Sequence, residues 1–111
     1  MLFCITANYT PQALNALMDN PNTSRFEAVK KLVEATGGKV IAMYSTVADG
    51  PGAMLIFEVP DPTSAPSISG VITASGAVKD IRLMRLLSQD EVVNVRKKAA
   101  EIRGSYKTAG Q

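Results

Sequence analysis

The run Ala53-Met54-Leu55-Ile56-Phe57-Glu58-Val59 narrows most sharply what this chain can become. Its length and its β-branched and aromatic content predict a strand, with Ala53, Leu55, Phe57 and Val59 on one face and Met54 and Ile56 on the other. The preceding run, Val40 to Val47, reads as a second strand, and Gly50-Pro51-Gly52 between them reads as the turn of a hairpin. An antiparallel sheet with helices on one side leaves its other side wet, so a strand that is apolar on both faces needs a second cover. Another copy of the chain is the expected cover.

The remaining segments supply the rest of such a sheet. Leu2 to Asn8 predicts a strand buried on both sides, with Phe3 and Ile5 facing away from Leu2 and Cys4. Thr10-Pro11 has the form of an N-cap followed by proline at the first helical position, and this helix stops near Asp19-Asn20-Pro21. Ser24-Arg25-Phe26-Glu27 is a capping-box pattern, and Phe26, Val29, Leu32 and Val33 continue a helical stripe as far as Gly37-Gly38. Pro60-Asp61-Pro62 ends the hairpin's second strand. Thr63 to Ser75 predicts a helix on the spacing of Ile68, Val71 and Ile72, with Gly76 as its terminator. Val78 to Leu87 alternates as a fourth strand, and Ser88-Gln89-Asp90-Glu91 caps a final amphipathic helix that runs to Arg103.

The sum is an α+β, ferredoxin-like β-α-β-β-α-β fold, with a four-stranded antiparallel sheet, helices on one face and an added C-terminal helix. At 111 residues and 46% apolar the chain suits one domain, expected over 1–103, followed by a flexible tail at 104–111. Met43, Met54, Ile56 and Met84 are the candidate oligomer interface on the open sheet face. Each such side chain left in water forgoes about 1.5 to 3 kcal/mol of burial. A sheet-to-sheet dimer and a ring both satisfy that demand, and partial cover by the C-terminal helix is the intramolecular alternative.

Several pieces then carry a resemblance. Leu2 to Thr10, Ala28-Val29-Lys30-Lys31-Leu32, Gly37-Gly38-Lys39, the Tyr44 strand, Glu58-Val59-Pro60-Asp61, Ser75-Gly76-Ala77-Val78 and Leu87-Ser88-Gln89-Asp90-Glu91-Val92 together resemble the GYD-domain family over residues 2 to about 95. The resemblance implies a small bacterial or archaeal protein related to dimeric ferredoxin-like α+β barrels, a family whose function is generally unassigned. The Gly-Tyr-Asp motif that names the family falls before the third strand, where this chain reads Asp49-Gly50-Pro51-Gly52. Pro51 and Gly52 stand in place of the tyrosine and aspartate, so no role of those two side chains carries over.

Composition removes most chemistry. With no histidine, serine–histidine triads, histidine acid–base catalysis and histidine metal or haem sites have no residues to build on. Cys4 is alone and sits in an apolar run, so it reads as a small buried hydrophobe, and neither a metal nor another cofactor is expected. Gly50-Pro51-Gly52 leads into a strand, whereas a phosphate cradle opens a helix. Twelve basic against ten acidic side chains give a net charge of +2, too little to predict a nucleic-acid partner. Arg96-Lys97-Lys98, with Arg103 and Lys107, has no interleaved aromatic residues and reads as a solvated helix face. No run approaches the roughly 20 apolar residues of a membrane span and no signal-peptide pattern opens the chain, so a cytoplasmic location is expected.

Asn8, Tyr9, Tyr44, Arg82 and Arg85 are the candidate ligand-binding residues, converging at one end of a ferredoxin-like sheet. Arg82 and Arg85 fall on opposite faces of their strand, and a structural ion pair with Glu58 or Asp80 is the competing role for them. Tyr44 reads first as a core or interface aromatic and only second as a catalytic acid. Three functions fit. The first is an oligomeric module of small-molecule-binding or assembly role, with a small apolar ligand. The second is a cofactor-independent enzyme of monooxygenase or isomerase type using Tyr44, Asn8 and Arg85. The third is a structural ring or shell component that uses its terminal helix as the contact surface.

Overall fold

The structure, a computed structural model, describes residues 1–110; Gln111, the end of the expected tail, lies outside them. The elements follow in the order β1 (Leu2–Tyr9), α1 (Pro11–Asp19), α2 (Arg25–Glu34), β2 (Lys39–Val47), β3 (Pro51–Glu58), α3 (Ser64–Ala74), β4 (Val78–Leu86) and α4 (Gln89–Ile102), ending in a 3-10 turn at Arg103–Ser105. The strands form a single sheet of order β2-β3-β1-β4 with every neighbouring pair antiparallel, the ferredoxin-like arrangement.

Local chemistry sets the helix starts. Thr10 accepts a hydrogen bond from the Ala13 amide at 3.3 Å and Ser24 accepts one from Glu27 at 3.4 Å. The reciprocal box predicted at Ser24 forms instead at Ser88. There the Ser88 hydroxyl accepts from the Glu91 amide, and the Glu91 carboxylate accepts from the Ser88 amide, both at 3.2 Å.

The core lies between the sheet and the two helices α2 and α3. Phe3, Ile5, Leu55 and Phe57 from the sheet meet Val33 of α2 and Ala65 and Ile68 of α3, and Val59 closes one end. Phe57, Val33, Val59 and Ile68 are sealed from solvent, and the rings of Phe3 and Phe57 stack with centroids 5.9 Å apart.

The alternation read from β1, β3 and β4 is the observed one, but β2 departs from it. Its register against β3 shifts between Val40 and Ala42, where Val40 faces Phe57 and Ala42 faces Ile56. This bulge reverses the parity of the rest of the strand. Met43 therefore joins the helix-side core beside Leu55, away from the face shared by Met54, Ile56 and Met84, and Tyr44 moves to the open face opposite Met54. A second irregularity lies in β4, where Asp80 adopts a φ of 53° and the pairing with β1 shifts between Thr6 and Asn8.

The helix α4 stands apart. None of its residues is buried, and among the described residues the Arg85–Glu91 pair is the side-chain ion pair that ties it to the sheet. The chain is accordingly elongated, 59 × 35 × 22 Å with a radius of gyration of 17.8 Å, against about 13 Å for a compact chain of this length. The open sheet face is thus left uncovered by the chain's own terminal helix.

Candidate functional site

The two faces of the sheet differ in how they are filled. On the helix side, residues paired across the strands form rows, and the bulk of those rows falls from one end of the sheet to the other. Val40, Phe57 and Phe3 make the first row, and Met43, Leu55 and Ile5 the second. The third row is Ser45, Ala53 and Ala7. The Ala7 and Ala53 side chains cannot reach the helices above them, and a cavity of about 160 Å³ opens there, while Ser45 borders an adjoining groove.

Its walls are almost entirely apolar. The sheet contributes Ile5, Ala7, Met43, Ala53 and Leu55; α2 contributes Ala28, Val29 and Leu32, and α3 contributes Val71 and Ile72. The three polar residues are Tyr9 at the end of β1, Arg25 at the start of α2 and Ser75 after α3. Tyr9 and Arg25 also border two shallower grooves, one running along α1 and the other beside Tyr44, so both stand where the concavities meet.

The mouth is tied together by backbone. The Thr10 amide donates to the Ala77 carbonyl at 3.0 Å, and the Thr10 hydroxyl donates to the Gly76 carbonyl at 2.8 Å, which fixes the end of β1 against the turn after α3. The Ser75 hydroxyl is already engaged, donating to the Ile72 carbonyl at 2.6 Å and accepting from the Ala77 amide at 3.2 Å. Among the described residues, neither the Tyr9 hydroxyl nor the Arg25 guanidinium has a hydrogen-bonding or ionic partner. The polar capacity of the mouth therefore rests with those two groups.

The residues singled out from the sequence are dispersed. Tyr9 lines the cavity. Asn8 lies on the open face at the hairpin end, where its side-chain amide donates to the Ala48 carbonyl at 3.2 Å. Tyr44, 65% exposed, shares one open-face row with Met54, Thr6 and Arg82. Arg85 lies on the helix side at the opposite, filled end of the sheet. Its guanidinium sits 5.7 Å from the centre of the Phe3 ring and pairs with Glu91. That carboxylate is neither of the two expected from the sequence, and Glu58 pairs instead with Lys39 at 3.7 Å. Tyr44, Asn8 and Arg85 thus do not meet in one pocket. Arg25 and Ser75 are the mouth residues that sequence reasoning missed. A helix-start arginine reads as surface, and only the register of Ala7 with Ala53 signals a hollow beside it.

On the open face, Ala42, Ile56, Cys4 and Met84 form the central row. Cys4 is only 4% exposed because its neighbours on both sides crowd it, and burial pushes its thiol above the usual range. Met84 is 44% exposed.

The hairpin between β2 and β3 is compact. Asp49 and Gly50 take positive φ values of 60° and 144°, Pro51 opens β3, and Gly52 lies between Asn8 of β1 and Thr46 of β2. A β-carbon on Gly52 would collide with the Ala7 carbonyl oxygen, the Asn8 side chain and the Thr46 hydroxyl. No helix among the described residues is long and apolar enough to cross a membrane.

A comparison with curated proteins found no match. The family model described as the GYD domain matches residues 3–95, which span β1 to the first half of α4 and include every wall of the cavity. The chain belongs to the GYD domain family.

Proposed function

We propose that this chain is a cytoplasmic, homo-oligomeric small-molecule-binding module in which one sheet serves two purposes. The observation that carries this reading is the apolar cavity of about 160 Å³ under α2 and α3, with the polar residues among its described lining, Tyr9, Arg25 and Ser75, gathered at one mouth. A cavity of roughly 150 Å³ lined by aliphatic and aromatic side chains stays dry and accepts a benzene-sized guest, so this volume suits one ring or a hydrocarbon of similar bulk. The opposite face supports self-association. Tyr44 and Met84 are exposed there and Met54 and Ile56 half-buried, and covering each contributes part of the roughly 1.5 to 3 kcal/mol that full burial of such a side chain from water is worth. In this reading residues 1–103 act as the working domain.

Two measurements test the two halves. Ala53→Leu places a larger side chain in the small-residue row and is expected to abolish uptake of benzyl alcohol while preserving the fold; undiminished uptake contradicts the assignment of the cavity. Native mass spectrometry is expected to show a defined oligomer that Ile56→Glu or Met54→Glu dissociates. A native chain that remains monomeric at all concentrations removes the oligomeric half.

A further inference from the structure

Resting on the cavity as a ligand site, we propose that its ligand is a small organic anion, an aromatic or branched aliphatic monocarboxylate of about one ring's bulk, held by its apolar body and read by Arg25. The cavity wall is apolar on the sheet and on both helices, so the buried part of the ligand is hydrocarbon. Polarity is confined to one side. Among the three polar residues there, Ser75 already spends its proton on the Ile72 carbonyl. The Arg25 guanidinium and the Tyr9 hydroxyl have no such partner among the described residues, and both are hydrogen-bond donors.

The sign of the charge follows. Among the described residues no carboxylate lines the cavity or either adjoining groove, so the guanidinium is uncompensated where the three concavities meet. A planar guanidinium fork matches two carboxylate oxygens, and a phenol hydroxyl lining the same mouth offers a further donor. A cationic ligand would meet Arg25 with like charge, and a neutral ligand of the same shape would leave the fork unused. The mouth is open enough for Arg25 to keep its hydration in the free state, so anion binding adds affinity without a prior burial cost.

The test uses benzoate and benzyl alcohol, which share the ring and differ at the head, with affinities measured by titration calorimetry on the full chain. Benzoate is expected to bind about tenfold more tightly than benzyl alcohol, the difference one charge-assisted hydrogen bond makes. Arg25→Gln is expected to bring the two affinities together by weakening benzoate alone, and Tyr9→Phe to weaken benzoate by a few-fold. Raised salt is expected to weaken benzoate and leave benzyl alcohol unchanged. Equal affinities in the native chain, or a preference for benzoate that survives Arg25→Gln, overturn the anion assignment while leaving the cavity reading intact. Failure of both probes to bind, or binding of either that Ala53→Leu does not reduce, overturns the cavity reading and the anion assignment together.

Discussion

Gly52→Ala and Gly70→Ala are the same substitution with opposite expected signs. In the interior of a strand or helix, glycine ordinarily costs about 0.5–1 kcal/mol relative to alanine, because it has more backbone freedom to lose. Gly70, inside α3, follows that rule, since nothing lies within 4 Å of the β-carbon that alanine would add. Gly70→Ala is expected to stabilise the fold by about that amount. At Gly52 the added carbon meets the Ala7 carbonyl on one side and Thr46 on the other, and the nearest atom is backbone of the central strand. The sheet must spread to admit it, at an overpacking cost of about 1–3 kcal/mol. In domains of 60–100 residues one kcal/mol moves Tm by about 4–8 °C, and this slightly longer chain falls at the lower end of that range. Thermal unfolding by circular dichroism, at one fixed protomer concentration, is therefore expected to show Tm lowered by roughly 4–12 °C for Gly52→Ala and raised by a few degrees for Gly70→Ala. A Gly52→Ala protein that melts with or above the native chain refutes the close approach of β1, β2 and β3 at the hairpin.

Other expectations follow from the core, the cap and the buried thiol. Phe57→Ala removes a ring with no solvent exposure that stacks on Phe3, and is expected to lower unfolding free energy by about 3–5 kcal/mol in urea titrations. The Ser88 amide, donating to the Glu91 carboxylate, and the nearby Arg85 hold Glu91 below the ordinary value of 4.5. A carboxylate with a depressed pKa in the folded state stabilises above its unfolded pKa, and that contribution fades as pH falls from about 4.5 through the lower folded value. Far-UV ellipticity is expected to weaken across that acid window, and less steeply in Glu91→Gln, which keeps the cap without the titrating group. Cys4 is expected to react with a thiol reagent at pH 8 far more slowly in the native protein than in denaturant, because burial both shields the thiol and raises its pKa. Fast native labelling would place β1 at an accessible edge, in conflict with its position between β3 and β4.

What the sequence disclosed was local. Thr10-Pro11, Ser24 and Ser88 announced helix starts because a cap acts within three residues, and the hairpin from Lys39 to Glu58 was legible from its turn and alternation. What it concealed depended on register. The bulge after Val40 has no signature in Val-Ile-Ala-Met, yet it exchanges the faces of Met43 and Tyr44 and so moved one residue out of the expected interface and another out of the expected cleft. The cavity arises because Ala7 stands opposite Ala53, a pairing 46 residues apart that only the β1–β3 register establishes. Arg85 pairs with Glu91 across the turn from β4 to α4, six positions away, and with neither Glu58 of β3 nor Asp80 of β4, the two carboxylates the sequence offered.

The solitary α4 also has a thermodynamic consequence. Isolated helices shorter than about 12–15 residues are marginal in water, because nucleating the first turn is costly and each later residue returns little. At 14 residues, with no buried side chain, α4 relies on its Ser88–Glu91 box, on the Arg85–Glu91 pair to β4 and on one weak Lys98–Glu101 pair to offset that nucleation cost. Its amides are therefore expected to exchange with solvent hydrogen early, fraying from Ile102 backwards, while those of Phe57 and Leu55 persist until the whole fold opens. Any molecule that offers α4 a surface slows that exchange first, so its protection as protein concentration rises is a direct gauge of whether one copy of the chain engages another.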